Sequence, residues 1–196
     1  MSANLEEIRR QLKESCRVKQ SFPDDLLGRI EEFAMRSAAT LEGGGKLVFF
    51  GNGGSAADAL HLAAELTVRL RGDRPGLAAL ALTTNPSVLT AASNDYGFEH
   101  VFARQIESLV APGDALVALS TSGNSPNILR GAEAGSRRGA FRVGLTGETG
   151  GALAGKVELL LNVPSRDPQR IQEAHITIGH IVCSLVEQIC FKNSRS

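Results

Sequence analysis

The sequence predicts a doubly wound α/β domain, in which helices cover both faces of a parallel β-sheet of about five strands. From residue 46 onward, short runs that are apolar throughout alternate with helical patterns. Strands without a polar face are typical of parallel sheets that are buried on both sides. The chain has 196 residues and is 42% hydrophobic, which suits one domain with an appended helical element. The expected architecture is flavodoxin-like, with ligands at the carboxyl ends of the strands.

Two amphipathic helices come first, in residues 4–43, and three glycines at 43–45 stop the second helix. The apolar stripe of the first helix contains Leu5, Ile8 and Leu12. Because a helical pair cannot bury such a stripe alone, it must lie on the domain or on another subunit. We therefore expect N-terminal helices in residues 1–45 that pack on the domain and a subunit interface, followed by the α/β domain in residues 46–196.

The alternation of strands and helices can be followed along the rest of the chain. The predicted strands are residues 46–50, 77–82, 115–120, 141–146 and 157–163. The predicted helices are residues 55–70, 86–94, 99–110, 125–138, 151–155 and about 168–190. Strands that alternate with helices in this way indicate βαβ units, which build a parallel sheet.

The first strand leads into a glycine-rich loop, residues 51–54, that opens a helix. Backbone N–H groups at a helix start point outward and the helix dipole favours negative charge, so this arrangement can bind an anion. His61 and Glu65 are four residues apart and therefore share one face of the helix, close to that site. The pair suits general acid/base catalysis, with Glu65 moving a proton on a carbon next to a carbonyl, and it equally suits metal ligation. The residues alone leave both roles open.

A second candidate anion site follows the third strand. Residues 120–125 contain four hydroxyl side chains, and Pro126 stands at the first position of the next helix. These hydroxyls can replace a lysine as phosphate donors, although the loop alone is equally compatible with an ordinary N-cap turn. The absence of a Gly-Lys-Ser/Thr sequence argues against a nucleotide P-loop, and Ala56 stands where the dinucleotide fingerprint requires its third glycine.

Composition narrows the class of protein. Lys plus Arg and Asp plus Glu both number 21, so nothing indicates a nucleic-acid-binding surface. No apolar run approaches the roughly 20 residues of a membrane span, and the N-terminal residues lack the apolar core of a signal peptide. The three cysteines lack metal-site spacing, and we expect Cys183 and Cys190 to be buried reduced thiols. A cytoplasmic protein without nucleic-acid or membrane partners is expected.

The two loops belong to a set of motifs that covers nearly the whole chain. The set comprises residues 51–55 with Asp58, His61 and Glu65, the run Asn94-Asp95-Tyr96-Gly97-Phe98, residues 120–125, and Arg170-Ile171-Gln172-Glu173 with His175 and His180. This combination resembles the sedoheptulose-7-phosphate isomerases (phosphoheptose isomerases) of the sugar isomerase (SIS) domain family. The resemblance implies a three-layer SIS sandwich with a five-stranded parallel sheet.

The resemblance also implies an aldose–ketose isomerase. It would convert sedoheptulose 7-phosphate to D-glycero-D-manno-heptose 7-phosphate through an enediolate, for the heptose of bacterial lipopolysaccharide or a related glycan. Such a reaction needs a base over the sugar, an acid or metal at the oxygens and a phosphate anchor. The family is reported as a homotetramer with active sites near subunit boundaries, which would also bury the stripe on the N-terminal helices.

Roles for individual residues follow from the same resemblance. Glu65 and His180 would be the catalytic acid/base pair. One zinc ion per subunit would be ligated by His61, Glu65, Gln172 and His180, and a direct bond to the metal would weaken Glu65 as a base. The residues implied to bind substrate are Asn52, Gly53, Gly54, Ser55, His61, Glu65, Asn94, Asp95, Ser120, Thr121, Ser122, Ser125 and Gln172.

Some features of this assignment stay open. Gln172 and His180 are eight residues apart in the sequence, about 12 Å along a straight helix. They can reach one ion only from opposite sides, or if another subunit supplies one of them. Gln169 stands where some relatives carry an aspartate, so the role of that acid, and of Asp167 as its substitute, is undecided.

The alternative is a non-catalytic binding protein. A close relative of these isomerases binds the bacterial replication initiator, and its matching stretch lacks the glutamate. The present chain has Glu65 and His180, which favours the enzyme.

Overall fold

Five parallel strands form the centre of the structure, a computed structural model that describes residues 2–192. The strands are β1 (Leu47–Gly51), β2 (Ala79–Ala81), β3 (Ala115–Leu119), β4 (Phe141–Thr146) and β5 (Leu159–Asn162). Their order across the sheet is β2-β1-β3-β4-β5, and all neighbours pair in parallel. This is the flavodoxin-like order, whose direction of winding reverses between β1 and β3. The carboxyl ends of β1 and β3 therefore frame the crevice in which ligands are expected.

Helices connect and flank the strands. They are α1 (Ala3–Gln20), α2 (Asp24–Glu42), α3 (Gly54–Thr67), α4 (Pro86–Tyr96), α5 (Val101–Leu109), α6 (Pro126–Arg137) and α7 (Pro168–Cys190). Short 3-10 helices at Phe98–His100 and Gly151–Lys156 precede α5 and β5. Within residues 2–192, no helix has both the length and the apolar character needed to cross a membrane.

The strand side chains alternate between two buried cores, one on each face of the sheet. On β1, Leu47 and Phe49 join a core formed with α2, α3 and α7. Val48 and Phe50 join a second core formed with α4, α5 and α6. Every residue of β1 and β3 is buried, which explains why these strands are apolar throughout. The predicted three-layer α/β sandwich is confirmed.

The two N-terminal helices differ in how well the domain covers them. The apolar face of α2 lies in the same core as α7 and the sheet. Within α1, the only buried residue is Val18, and Arg170 of α7 donates a hydrogen bond to the carbonyl of Gln11 at 2.7 Å. The exposed members of the α1 stripe are Leu5 (40%), Ile8 (55%) and Leu12 (63%). The domain therefore leaves this stripe uncovered.

Two elements are shorter than the sequence pattern predicted. The helix predicted over residues 55–70 is α3, which ends at Thr67 because Arg74 hydrogen-bonds the carbonyls of Glu65 and Leu66 in its last turn. The strand predicted over residues 77–82 has three residues in the ladder, since β2 lies at the sheet edge and pairs with β1 alone. The helix predicted over 151–155 is a 3-10 helix. The other strands and helices from residue 46 onward begin and end within two residues of the predicted positions.

The three cysteines are free thiols in different environments. Cys183 is buried as predicted, and burial raises the pKa of its thiol to about 12. The prediction of a buried thiol was wrong for Cys190, which is half-buried at the last residue of α7. Cys16 is exposed on α1.

Candidate active site

Two helices far apart in the sequence bring His61, Glu65 and His180 together. α3 carries His61 and Glu65 one turn apart, and α7 carries His180. His61 Nε2 lies 2.7 Å from His180 Nε2 and 3.3 Å from Glu65 Oε1. One ligand atom from each residue lies within 4.8 Å of the other two. A single chain therefore brings these three predicted residues together, and we call them the His–Glu–His cluster.

The donor set of the His–Glu–His cluster suits a metal ion. Zinc binds imidazole nitrogens and carboxylate oxygens at about 2.0–2.2 Å, so two ligands of a tetrahedral site lie about 3.3 Å apart. The separation between His61 and Glu65 is 3.3 Å, and the two imidazole nitrogens, at 2.7 Å, need to move apart by only a small amount. The same short distances would also let the three groups exchange protons directly.

The side chain of Gln172, on α7, lies against Gly54 at the start of α3. A Cβ atom at Gly54 would overlap the Gln172 amide, so the present position of that side chain depends on glycine at 54. The Gln172 side chain also faces Asp58 and stabilises the charged form of its carboxyl group. The described contacts thus place the Gln172 side chain beside the first turns of α3, one turn or more before His61. The role of Gln172 as a metal ligand remains a prediction.

Asp58 is a site residue to which the sequence reasoning gave no role. Its carboxyl group is half-buried, and among the described residues its Oδ2 atom has no hydrogen-bond partner. Burial raises the pKa of Asp58 to about 6, while His61 and Gln172 oppose that shift. The only local signal is its spacing of three residues from His61, which places both on one face of the helix.

The glycine loop is fastened to the start of α6 by a pair of amides. Asn52 Nδ2 donates to Asn127 Oδ1 at 2.9 Å, and Asn127 Nδ2 donates to Asn52 Oδ1 at 2.8 Å. Gly53 has a φ of 56°, which favours glycine at this turn, and Ser55 is buried in the first turn of α3. Asn127 was not predicted, because nothing in the sequence beyond its position after Pro126 connects it to the glycine loop.

The loop of residues 120–125, which we call the hydroxyl loop, lies directly after β3. Ser120 Oγ accepts a hydrogen bond from the N–H of Gly123 at 3.2 Å, and Ser122 Oγ accepts one from the N–H of Asn124 at 3.2 Å. Thr121 is half-buried, and its carbonyl accepts a hydrogen bond from the N–H of Gly147. These bonds give the loop a fixed shape.

Ser125 separates the two interpretations of the hydroxyl loop. An ordinary N-cap serine accepts a hydrogen bond from an N–H group in the first turn of its helix. Ser125 occupies the N-cap position of α6, yet its side chain makes no capping hydrogen bond. Its hydroxyl is therefore available to a ligand, which favours the anion site over the ordinary N-cap turn.

A cavity of about 440 Å³ lies where the glycine loop meets the hydroxyl loop. Asn52, Ser125 and Asn127 contribute to its lining, together with Arg130 on α6. A smaller cavity of about 260 Å³ adjoins His180 and is also lined by Arg71. The larger apolar cavity of about 690 Å³ lies along β2, and no residue of the His–Glu–His cluster lines it. We therefore place the site at the two smaller cavities, where the polar groups are.

Asn94 and Asp95 do not line the cavity between the two loops. They occupy the last turn of α4, both are exposed, and Asn94 Nδ2 donates to Asp95 Oδ1 at 2.8 Å. Phe98 and Glu99, just beyond Gly97, line the 440 Å³ cavity, whereas Asn94 and Asp95 do not.

Asp167 has a structural role at the start of α7. Its Oδ1 atom accepts a hydrogen bond from the N–H of Gln169 at 2.9 Å, so Asp167 is the N-cap of the helix. The Gln169 side chain is exposed and lies beside Arg170.

Comparison with known proteins identifies the family. A model of the SIS domain matches residues 12–147. The phosphoheptose isomerase of Geobacter metallireducens is 51% identical over 187 residues, which cover 95% of this chain and 99% of that protein. The chain belongs to the phosphoheptose isomerases of the SIS-domain family. Among solved structures, the phosphoheptose isomerase of Neisseria gonorrhoeae is 41% identical, with a TM-score of 0.89 and coverage of 95% of this chain and 100% of that one. That of Francisella tularensis is 34% identical, with the same TM-score and the same coverage.

In this member of the phosphoheptose isomerases, the site combines two kinds of chemistry. The His–Glu–His cluster offers groups that can move protons or bind a cation. The hydroxyl loop offers neutral donors at a helix start, which suit a phosphate. A phosphorylated sugar needs both.

Proposed function

We propose that the protein is an aldose–ketose isomerase that converts sedoheptulose 7-phosphate to D-glycero-D-manno-heptose 7-phosphate. The observation that carries this proposal is the His–Glu–His cluster, assembled from α3 and α7, where α3 begins in the glycine loop that is hydrogen-bonded to the start of α6. Relatives that are 46% and 51% identical over nearly the whole chain are named phosphoheptose isomerases, which supports the same reaction here. These names also favour the enzyme over the initiator-binding alternative.

The reaction moves two protons and leaves the carbon skeleton intact. Glu65 removes a proton from C1 of the ketose to give an enediolate, and then returns it to C2. His180 moves the second proton from the hydroxyl oxygen at C1 to the oxygen at C2. His61, whose Nε2 atom is 3.3 Å from Glu65 Oε1, holds the carboxylate in place. Positioned acid/base groups of this kind contribute roughly 10²–10⁴-fold to rate.

The substrate is anchored at both ends. The phosphate binds at the hydroxyl loop, through Ser120, Thr121, Ser122 and Ser125. The reacting end of the sugar lies on the glycine loop, and the side chains of Asn94 and Asp95 contact the sugar chain between the two. The proposed residues at the reacting end are Asn52, Gly53, Gly54, Ser55, His61, Glu65 and Gln172. Anchoring both ends fixes the register of C1 and C2 against the base.

The proposal includes one zinc ion per subunit, held by His61, Glu65 and His180 with Gln172 as the fourth ligand. Imidazole and carboxylate donors within 4.8 Å of one another support this set. When bound, zinc would supply a Lewis acid for the oxygen atoms of the sugar. Because Glu65 is weakened as a base while it bonds a metal directly, metal binding and proton transfer by Glu65 belong to different stages.

We further propose a cytoplasmic homotetramer in which residues 1–45 contribute to the subunit interface and residues 46–196 form the SIS domain. The exposed stripe of Leu5, Ile8 and Leu12 on α1 supports this, since a second copy would remove it from water. The product would enter the synthesis of heptose for lipopolysaccharide or a related glycan.

Incubation of the pure protein with sedoheptulose 7-phosphate, followed by NMR, tests the function. Aldose signals should appear in the sample without chelator, and a chelator should suppress them until zinc is restored. Equal turnover with and without chelator would support the isomerase activity and contradict the requirement for zinc. No turnover in either sample, together with binding to the replication initiator, would favour the alternative.

A further inference from the structure

A buried ion pair lies between the two helices that carry the His–Glu–His cluster. Arg74 belongs to the connection between α3 and β2, and Glu187 lies on α7. Their side chains are 3% and 6% exposed, and Arg74 Nε is 3.7 Å from Glu187 Oε1. Charged side chains are rarely buried to this degree without a specific partner. In the described contacts, neither side chain touches His61, His180 or the side chain of Glu65.

Arg74 completes the last turn of α3. Its guanidinium group donates to the carbonyl of Glu65 at 2.9 Å and to the carbonyl of Leu66 at 2.8 Å. Carbonyls in the last turn of a helix lack intrahelical partners, and a cationic side chain there also interacts favourably with the helix dipole. The backbone of Glu65 is thus bonded directly to Arg74.

Glu187 holds the connection that carries Arg74. Its Oε1 atom accepts a hydrogen bond from the N–H of Gly72 at 2.9 Å, and its Oε2 atom accepts one from the N–H of Leu70 at 3.3 Å. These donors, with Arg74, hold the pKa of Glu187 below its usual value although burial opposes this. The carboxylate stays charged and fixes residues 70–74 against α7.

His180 and Glu187 are seven residues apart and so lie on the same face of α7, about 10 Å from each other along the helix. A continuous path therefore runs from Glu65 through its own carbonyl to Arg74, then to Glu187, and along α7 to His180. The path joins the two helices that carry the His–Glu–His cluster.

We propose that Arg74 and Glu187 are positioning residues for the isomerisation, which hold the last turn of α3 against α7 and thereby set the separation between Glu65 and His180. The inference rests on the proposed roles of Glu65 and His180. A displacement of about 1 Å in an active site can lower the rate roughly 10²-fold. Loss of either charge should therefore affect chemistry and metal binding more than phosphate binding, because the hydroxyl loop lies on a different element.

The test uses Arg74→Met, Arg74→Lys and Glu187→Gln in the full chain. We expect Arg74→Met and Glu187→Gln to lower kcat about 10- to 100-fold while KM changes less than about threefold. The Kd for Zn²⁺, measured by competition with a chromophoric chelator, should rise about tenfold or more. Arg74→Lys should recover only part of the loss, since one ammonium group cannot replace the planar donors of a guanidinium.

Lys46→Met is the matched control. Lys46 Nζ lies 2.6 Å from Oδ2 of the buried Asp114, next to the amino ends of β1 and β3, and in the described hydrogen bonds and ion pairs Lys46 contacts no residue of α3, α7 or the connection at 70–74. Its loss should lower Tm and leave kcat and the Kd for Zn²⁺ unchanged. If the Arg74 and Glu187 variants behave like Lys46→Met, with a lower Tm alone, the two residues are merely structural and the proposal is overturned.

Two further comparisons keep the result unambiguous. If Arg74→Met does not fold, Glu187→Gln and Arg74→Lys decide the question with the same two measurements. Glu65→Gln serves as the reference for the proposed function. Activity retained in Glu65→Gln would overturn the catalytic assignment itself, whereas inactive Glu65→Gln with unchanged kcat and Zn²⁺ affinity in the Arg74 and Glu187 variants would overturn the positioning role alone.

Discussion

The hydroxyl loop and the His–Glu–His cluster are built in different ways. The loop is one continuous stretch, residues 120–125, and its side chains bond N–H groups two or three residues away. The cluster joins residues separated by up to 119 positions, and depends on the packing of α3 against α7. Local bonds can form the loop before substrate arrives, whereas the geometry of the cluster is only as accurate as the helix packing. The proposed function assigns binding to the loop and chemistry to the cluster, so substitutions in the two regions should have separable effects.

The largest effect is expected from Glu65→Gln. Removal of the general base should lower kcat by about 10³-fold or more, while binding of sedoheptulose 7-phosphate stays nearly intact. Turnover measured by NMR and binding measured by calorimetry check the two halves of this prediction. Glu107→Gln, on the exposed surface of α5, makes the same chemical change and should leave turnover unchanged. Wild-type turnover in Glu65→Gln would show that Glu65 is not the general base and would overturn the catalytic role of the His–Glu–His cluster.

Gly54→Ala tests how closely the cluster depends on packing between α3 and α7. The added Cβ atom would overlap the Gln172 amide, so that side chain must move. We expect kcat to fall about tenfold or more, with a weaker affinity for Zn²⁺ in the chelator competition. Gly28→Ala in α2 is the control, since nothing lies within 4 Å of its added Cβ. That variant should be stabilised by about 0.5–1 kcal/mol in urea unfolding. Equal kinetics in both variants would show that Gln172 does not matter to the site.

Ser125→Ala tests the loop. Loss of one hydrogen bond to a charged phosphate is worth about 1.5–3 kcal/mol, so KM should rise at least tenfold while kcat changes little. Inhibition by inorganic phosphate should weaken in parallel. Ser136→Ala, in the last turn of the same helix, should leave both quantities unchanged. A fall in kcat without a change in KM would contradict the division of roles between loop and cluster.

The smallest effect is expected for His175, which supports the hydroxyl loop indirectly, through Thr146 and Gly147. The buried imidazole contacts the Thr146 carbonyl at 3.1 Å, and the next residue, Gly147, donates to the carbonyl of Thr121. Burial lowers the pKa of His175 from about 6.5 to about 4. Between about pH 6.5 and pH 4 the unfolded chain binds a proton at His175 that the folded chain does not bind. The contribution of His175 to stability is therefore complete above about pH 6.5 and is lost towards pH 4. At pH 5 the loss is on the order of 2 kcal/mol.

Urea unfolding at pH 7.5 and pH 5 measures the contribution of His175. In His175→Gln the difference between the two pH values should be smaller than in the wild type, while KM and kcat at pH 7.5 stay close to normal. An unchanged pH difference would show that other groups control the acid sensitivity.

Much of the fold could be predicted because its signals are local. Strands such as β3 are apolar at every position, and Pro126 and Pro168 mark helix starts. The end of α3 at Thr67 could not be predicted, since it depends on two hydrogen bonds from Arg74, seven residues further on. The short β2 likewise follows from its edge position, which the order of elements along the chain does not reveal.

The same distinction between local signals and long-range contacts applies to the residues of the site. The hydroxyl loop and the spacing of His61 and Glu65 could be found from the residues alone. His180 was assigned only through the family resemblance, because no local pattern connects it with α3. Asp58 and Asn127 received no role, since burial gives the first its raised pKa and a contact across 75 residues gives the second its partner. The roles proposed for Asn94, Asp95 and Gln172 stay predictions.

The missing cap on α6 has a consequence for folding as well as for binding. A helix whose N-cap side chain makes no capping bond is less stable by about 1 kcal/mol than a capped one. An anion at the hydroxyl loop would supply that cap from outside the chain. Bound substrate would then cap α6. Part of the binding free energy would stabilise the first turn of α6 against fraying.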